Sequence, residues 1–154
     1  MRRYTGTRDG VARGKRHGTE QWVKEVINLS GGVLWNNGTW VVRNQRGKPA
    51  LSVHATGRAM DLSYRGKPNG RRAAERVIDI LTANATLLGV ELILDYFPTP
   101  HGRGWRCDRE TWQTYTKATL AGSPGGDWIH VEISPRMADS PQRVTAAFAK
   151  VNVI

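Results

Sequence analysis

Three side chains that can bind a transition metal stand out in the sequence, although they lie in two distant segments. His54 and Asp61 fall within residues 52–61, and His130 follows Asp127 by three residues. Two imidazoles and one carboxylate are a ligand set that zinc accepts, and an open fourth position can hold a water whose pKa the metal lowers. The pattern therefore predicts a zinc hydrolase in which these three residues bind the metal and Asp127 acts as the base.

One early strand and one late strand must position these side chains. Residues 59–64 alternate so that Asp61 lies on one face of a strand, and Gly57 permits a turn that lets His54 fold back toward Asp61. Residues 127–134 predict the second strand. Its core face would carry Ile129, Val131 and Ile133, and its opposite face would carry Trp128, His130 and Glu132.

Three segments predict helices that would cover such a sheet. Apolar residues recur at three- and four-residue spacing in residues 20–29, 71–88 and 141–151. The sequence therefore predicts an α+β fold, in which a small, mostly antiparallel sheet is packed by helices and carries the zinc site. Residues 20–154 would form this single domain. Residues 1–19, rich in Arg, Lys and Gly, would precede it as a basic arm that is flexible or extended along the surface.

The remaining segments predict strands and loops. Asn36-Asn37-Gly38 is a strong tight-turn signal, so residues 33–35 and 39–43 are predicted to form a hairpin. Residues 90–96 predict a strand with Val90, Leu92 and Leu94 on one face. Residues 97–126 predict a long loop forming a groove wall, with a short helix or turns in its second half.

Composition and charge limit the possible partners. The 154 residues carry a net charge of +10, which attracts polyanions such as nucleic acid or anionic cell-wall polymers. Known nucleic-acid-binding signatures are absent, so nucleic acid is the less favoured partner. Cys107 is the single cysteine, which excludes an internal disulfide. The sequence has neither an apolar run of membrane-spanning length nor a secretory signal pattern, so we expect no membrane span and no signal peptide.

The two motifs are similar to those of a known enzyme family. Residues 52–61 match S-x-H-x-x-G-x-A-x-D, and residues 127–130 match D-x-x-H. They resemble the zinc D-Ala-D-Ala carboxypeptidase and L-alanyl-D-glutamate endopeptidase family, which has the hedgehog/DD-peptidase fold. The resemblance implies that His54, Asp61 and His130 bind Zn²⁺ and that Asp127 is the base. Asp rather than Glu at that position favours an endopeptidase over a carboxypeptidase.

The resemblance also implies an arginine that stabilises negative charge on the scissile carbonyl. Arg43 is our candidate, with Arg46 and Arg58 as alternatives, because the spacing before the first motif does not align securely. Glu132 shares a strand face with His130, so it remains an alternative base or a hydrogen-bond partner for a ligand.

The resemblance implies a peptidase that cleaves peptidoglycan stem peptides. The segments around Trp105 and residues 126–131 also look like those of phage endolysins. We therefore expect a monomer made in the host cytoplasm that acts on the cell wall after release, with the basic surface attracted to anionic wall polymers. Two alternatives stay open at this point: a non-catalytic zinc-binding module of the same fold, and a basic nucleic-acid-binding protein.

Overall fold

A computed structural model describes residues 1–153 of the chain. Within them, one antiparallel sheet contains strands β1 to β6, which are Trp35–Asn36, Ala59–Ser63, Val90–Asp95, Arg103–Arg106, Thr111–Thr114 and Trp128–Ile133. Helices α1 to α5 are His17–Leu29, Gly70–Ala83, Ala85–Leu88, Pro135–Ala138 and Pro141–Phe148, and Val53–Thr56 forms a 3₁₀ helix. The predicted α+β class, with an antiparallel sheet packed by helices, is confirmed.

The strand order is β1-β2-β6-β3-β4-β5, so the two strands that carry the motifs lie side by side near the centre. One face of β6 is fully apolar: Ile129, Val131 and Ile133 are completely buried, as their alternation predicts. These side chains join one core with apolar residues of the helices, such as Trp22 in α1 and Val77 in α2. The helices therefore cover one face of the sheet, and the polar face of β6 is left for the site.

The helices form largely where apolar periodicity predicts them, with changes at their ends. Helix α1 begins at His17, three residues earlier than expected. The segment predicted as one helix at residues 71–88 is divided at Asn84 into α2 and α3. Gly89 ends α3 with a φ of 69°, a left-handed conformation that favours glycine. Ser140 caps α5 by accepting a hydrogen bond from the backbone N–H of Arg143.

The predicted hairpin around residues 36–38 is wrong. Trp35 and Asn36 pair with Ser63 and Leu62 of β2, and the pairing continues as Asn37 N–H donates to the carbonyl of Asp61. The Asn-Gly signal is satisfied locally, because the side chain of Asn36 accepts from the N–H of Gly38. The backbone of Gly38 also pairs with β2, because its carbonyl accepts from Asp61 N–H, so the hydrogen bonds of this segment go to β2 and not to residues 39–43.

Strand β3 is present, but its faces differ from the prediction. A register shift between Val90 and Leu92 turns the following residues over, so Ile93 joins Val90 in the core. Leu92 and Leu94 point to the opposite face and line a cleft there. Alternation in the sequence could not reveal this change, because a β-bulge leaves no apolar signature.

Residues 97–126 are not a continuous loop. Strands β4 and β5 pair within this segment and extend the sheet beyond β3. Trp112 lies in β5, where a helix or turns were expected, and the guanidinium of Arg103 lies 4.2 Å from the centre of its ring. The second half of the segment, including Tyr115 and Leu120, lines the cleft.

The basic N-terminal segment is extended along the fold. Arg2 N–H donates to the carbonyl of Cys107, and Ala12 N–H donates to the carbonyl of Ala55 beside His54. Asp9 accepts hydrogen bonds from Arg16 and from the completely buried Arg58. We refer to residues 1–16 as the arm, since residues 17–19 of the predicted arm belong to α1.

The helices of residues 1–153 are all too short or too polar to cross a membrane.

Candidate metal centre

Strand pairing brings Asp61 and His130 together. The two residues are direct partners across β2 and β6, and both side chains lie on the face opposite the core. Side chains of directly paired residues have Cβ atoms about 5 Å apart, close enough for their ends to meet. Nδ1 of His130 lies 3.1 Å from Oδ1 of Asp61. Two residues separated by 69 positions in the chain thus become neighbours through the sheet register.

The motif residues around His54 form the turn that was predicted to fold it back. Ser52 caps the 3₁₀ helix by accepting from His54 N–H, and Gly57 ends that helix with a φ of 74°. A side chain at Gly57 would be strained in this conformation and would contact Arg16 at 3.0 Å. Nε2 of His54 lies 3.2 Å from Oδ2 of Asp61. Asp61 therefore has one carboxylate oxygen directed at each histidine.

His54, Asp61 and His130 form a group that could hold a metal ion, and we call this group the metal centre. Their ligand atoms all lie within 4.8 Å of one another. Both histidines are buried, with residue exposures of 4% for His54 and 7% for His130.

In each histidine, the ring nitrogen that does not face Asp61 makes a hydrogen bond. Nδ1 of His54 donates to the backbone carbonyl of Thr39 at 2.7 Å, and Nε2 of His130 donates to Oε1 of Glu132 at 2.9 Å. These contacts leave His54 Nε2 and His130 Nδ1 facing Asp61, where a metal ion would replace the protons that these nitrogens donate to the carboxylate. Metal-binding histidines in proteins are held in this way by carbonyl or carboxylate acceptors. The donor set and its hydrogen bonds therefore fit zinc or a similar transition metal.

The charges around the metal centre favour a cation. Burial disfavours a charged imidazole, but hydrogen bonds to Asp61 and Glu132 outweigh burial and raise the pKa of His130 to about 10. Burial likewise opposes ionisation of Asp61, yet hydrogen bonds from His130 and His54 hold the pKa of Asp61 well below its usual range. The two carboxylates thus stabilise positive charge at a site where a metal ion would place it.

Glu132 connects the metal centre to the arm. Its Oε1 accepts from His130, and its Oε2 accepts from the hydroxyl of Tyr4 at 2.6 Å. Glu132 is 4% exposed. Burial and the nearby Glu132 carboxylate raise the pKa of Tyr4 well above its usual range, so the phenol keeps its proton. The sequence left two roles open for Glu132, and the observed contact corresponds to the second, a hydrogen bond to the predicted ligand His130.

The metal centre lies in a cleft of about 630 Å³. Leu92 and Leu94 form part of its wall, and Tyr96 stacks on Trp128 with ring centres 4.4 Å apart. Five basic side chains also line the cleft: Arg43, Arg46, Lys48, Arg65 and Arg106. The cleft therefore combines carboxylates in its interior with basic surroundings. The basic side chains suit a ligand that carries carboxylates.

Asp127, the predicted base, is bonded to Arg65. Oδ2 of Asp127 lies 2.9 Å from Nε of Arg65, whose side chain is 71% exposed. Arg65 lines the cleft, whereas Asp127 is not among its lining residues. The structure thus brings the three predicted ligands together but leaves the predicted base in an ion pair beside them.

The three candidate arginines occupy different places. Arg43 and Arg46 both line the cleft. Arg58 has no exposed surface, and its guanidinium donates to Asp9 and to the carbonyls of Gly6 and Ile133. Arg58 therefore holds the arm against the fold and is removed from the cleft.

Sequence reasoning missed two contributions to the site. The carbonyl of Thr39 holds His54, but a backbone carbonyl carries no sequence signal. Tyr4 was treated as part of a flexible or extended basic arm. It is the one aromatic residue among the first 21, and an isolated aromatic in a basic segment is a signal that could have indicated docking.

The comparisons with known proteins add no relative. No protein-family model matches the chain, and neither the curated proteins nor the solved structures contain a match.

Proposed function

We propose that this protein is a zinc-dependent peptidase that cleaves peptidoglycan stem peptides, with endopeptidase activity favoured over carboxypeptidase activity. The observation that carries the proposal is the metal centre. Its two histidines and one aspartate converge in a cleft, and the outer nitrogen of each histidine is held by an acceptor. The resemblance of the two motifs to the zinc peptidase family supplies the substrate class.

In the proposed reaction, the metal ion activates water and a side chain of the protein accepts the proton. A zinc ion held by His54, Asp61 and His130 would act as a Lewis acid and would lower the pKa of a water molecule toward neutrality. Asp127 serves as the proton acceptor, after its carboxylate exchanges the exposed partner Arg65 for the reacting water. Such a rearrangement costs little, because ion pairs exposed to water are weak.

The basic side chains of the cleft orient the substrate. A stem peptide that contains glutamate carries carboxylates, which Arg43, Arg46 and Lys48 can bind. Arg43 also stabilises the negative charge that develops on the scissile carbonyl oxygen. Outside the cleft, the net charge of +10 concentrates the protein on an anionic wall.

The direct test is digestion of purified peptidoglycan, with the released products identified by mass spectrometry. The unaltered protein, loaded with zinc, is expected to release peptides with new termini that identify the bond cleaved. His130→Ala is expected to release none, because it removes a ligand. Equal release by both proteins would refute a metal-dependent hydrolase.

A second candidate is a metal-binding module without catalytic activity. The observation that favours it is the ion pair between Asp127 and Arg65, which occupies the predicted base outside the lining of the cleft. This candidate predicts one bound metal per chain, no released peptide, and no change in either result on Asp127→Ala.

A further inference from the structure

The arm reaches the metal centre through one side chain. Tyr4 donates its hydroxyl proton to Oε2 of Glu132 at 2.6 Å, and Oε1 of the same carboxylate accepts from Nε2 of His130 at 2.9 Å. The three residues form a continuous chain of hydrogen bonds that ends on a predicted metal ligand. Tyr4 and Glu132 are 128 positions apart in the sequence, so this contact exists only when the arm is docked.

Buried charged residues hold the arm on both sides of Tyr4. Thr5 donates its N–H and its hydroxyl to the two carboxylate oxygens of Glu91, at 3.0 and 2.8 Å. Arg58 binds the carbonyl of Gly6 and the carboxylate of Asp9. Glu91 is 3% exposed and Arg58 has no exposed surface while the arm is docked. Their ion pair with each other is long, at 3.5 Å, so separation of the arm would remove the shorter hydrogen bonds that both charged groups make to it. The position of Tyr4 is therefore fixed.

The hydroxyl of Tyr4 matters because Glu132 is buried and bridges two donors. A carboxylate with one oxygen bonded to a histidine and the other oxygen held in place cannot rotate freely. If the hydroxyl is removed, Oε2 of Glu132 loses a short hydrogen bond in a site with little access to water. The carboxylate can then turn, and Nε2 of His130 loses its fixed acceptor.

We infer that Tyr4 is a positioning residue of the metal centre: through Glu132 it fixes the ring of His130, so docking of the arm sets the affinity for the metal. The inference rests on the metal-binding part of the proposed function and not on peptide cleavage. Partners of this outer kind change metal affinity about 10- to 100-fold when they are removed. Tyr4 is one step further from the metal than Glu132, so about tenfold is expected.

The test compares Tyr4→Phe with the unaltered protein as full-length chains. The ring is expected to stay in place, because the guanidinium of Arg106 lies 4.6 Å from its centre, so the variant removes only the hydroxyl. Zn²⁺ affinity is measured by competition with a chelating dye. Co²⁺ is then bound in place of Zn²⁺, and its visible absorption spectrum reports the ligand geometry. Tyr4→Phe is expected to bind Zn²⁺ about tenfold more weakly and to shift the Co²⁺ bands.

Two further variants separate positioning from general loss of structure. Tyr115→Phe makes the same change in another tyrosine that lines the cleft, and it is expected to leave the Zn²⁺ affinity and the Co²⁺ spectrum unchanged. Glu132→Gln is expected to weaken Zn²⁺ binding at least as much as Tyr4→Phe, because it alters the group that contacts His130 directly. Thermal unfolding of the metal-free proteins shows whether each variant is folded.

The outcomes separate this inference from the proposed function. Tyr4→Phe with unaltered Zn²⁺ affinity and an unaltered Co²⁺ spectrum would overturn the role of Tyr4 and leave the peptidase proposal standing. An equal loss of affinity in Tyr115→Phe would also overturn it, because the effect would then belong to any tyrosine of the cleft. No metal binding by the unaltered protein would overturn the proposed function together with this inference.

Discussion

The metal centre and the charged residues around it are built in contrasting ways. His54, Asp61 and His130 are held by strand pairing, a capped 3₁₀ turn and buried hydrogen bonds. Arg43, Arg65 and Asp127, which we call the outer charged group, lie in segments outside the strands. Within residues 1–153, the ion pair of this group joins Asp127 to Arg65, an arginine that is largely exposed.

The contrast indicates which part of the site is ready before a ligand arrives. A metal needs its ligands within a few tenths of an ångström of their final positions. Buried side chains that each make two hydrogen bonds can be held with this precision. Proton transfer and substrate binding tolerate a rearrangement, since exposed charges can exchange partners at little cost. We therefore expect substitutions in the metal centre to abolish metal binding, and substitutions in the outer charged group to spare metal binding while they slow cleavage.

The largest effect is expected from Asp61→Asn, which removes the carboxylate that faces both histidines. Metal content, measured by atomic spectroscopy after dialysis, is expected to fall from one equivalent to background. Peptide release is expected to fall by roughly a thousandfold or more, because a metal contributes several kcal/mol to the transition state. A variant that keeps one tightly bound metal would show that Asp61 is not a required ligand.

Asp127→Asn is expected to separate the two regions. Metal content should stay at one equivalent, while the rate of peptide release falls about a hundredfold, a typical loss for a general base. Asp79→Asn, which changes an exposed aspartate on α2, serves as the matched control and is expected to have no effect on either quantity. Loss of the metal in Asp127→Asn would remove the distinction between the two regions.

Arg43→Gln is expected to lower kcat about tenfold without a change in metal content. Removal of one hydrogen-bond donor to a developing negative charge typically lowers kcat by about a hundredfold to a thousandfold. Exposure to water reduces that contribution. Arg46→Gln, also in the lining of the cleft, is expected to act mainly on KM. If Arg46→Gln gave the larger loss of kcat instead, the roles of these two arginines would be exchanged.

The smallest effect is expected at Asp9, which holds the arm from a position outside the lining of the cleft. Burial opposes ionisation of Asp9, but hydrogen bonds from Arg16 and Arg58 hold the pKa of Asp9 below its ordinary value. A carboxyl group whose pKa is lower in the folded state stabilises the fold above its unfolded pKa, near 4, and loses that contribution as the pH falls. Asp9→Asn is therefore expected to lower the free energy of unfolding by roughly 1 kcal/mol at pH 7.

The pH dependence of that difference is the check. The free energies of unfolding of Asp9→Asn and of the unaltered protein, measured with urea, are expected to approach one another as the pH is lowered from about 5 toward 3, because Asp9 then takes up a proton in the unfolded state. The difference is expected to vanish only when the pH falls below the lowered pKa of Asp9 in the folded state. A difference that stays constant over this range would mean that the charge of Asp9 does not hold the arm.

Much of the metal centre could be predicted because its signals are local. The alternation of Ile129, Val131 and Ile133 defines which face of β6 is buried, and it places His130 on the other face. Gly57 is required by a left-handed turn, and Ser52 by a cap, so the spacing from His54 to Asp61 reflects backbone geometry. These constraints act within ten residues, and they can be read from residue types alone.

The remaining features depend on contacts between distant segments, which only the tertiary structure decides. Pairing of β1 with β2 replaced the hairpin that the Asn-Gly turn signal predicts, and a bulge in β3 turned Leu92 and Leu94 toward the cleft. The register of β2 against β6 sets Asp61 opposite His130. Tyr4 reaches Glu132 because buried charges dock the arm, and Asp127 is paired with Arg65. The sequence by itself determined the residue types and local turns of the site. Only the tertiary structure decided which distant segments pair with one another, because many strand pairings satisfy the same local pattern and the burial that each one achieves selects among them.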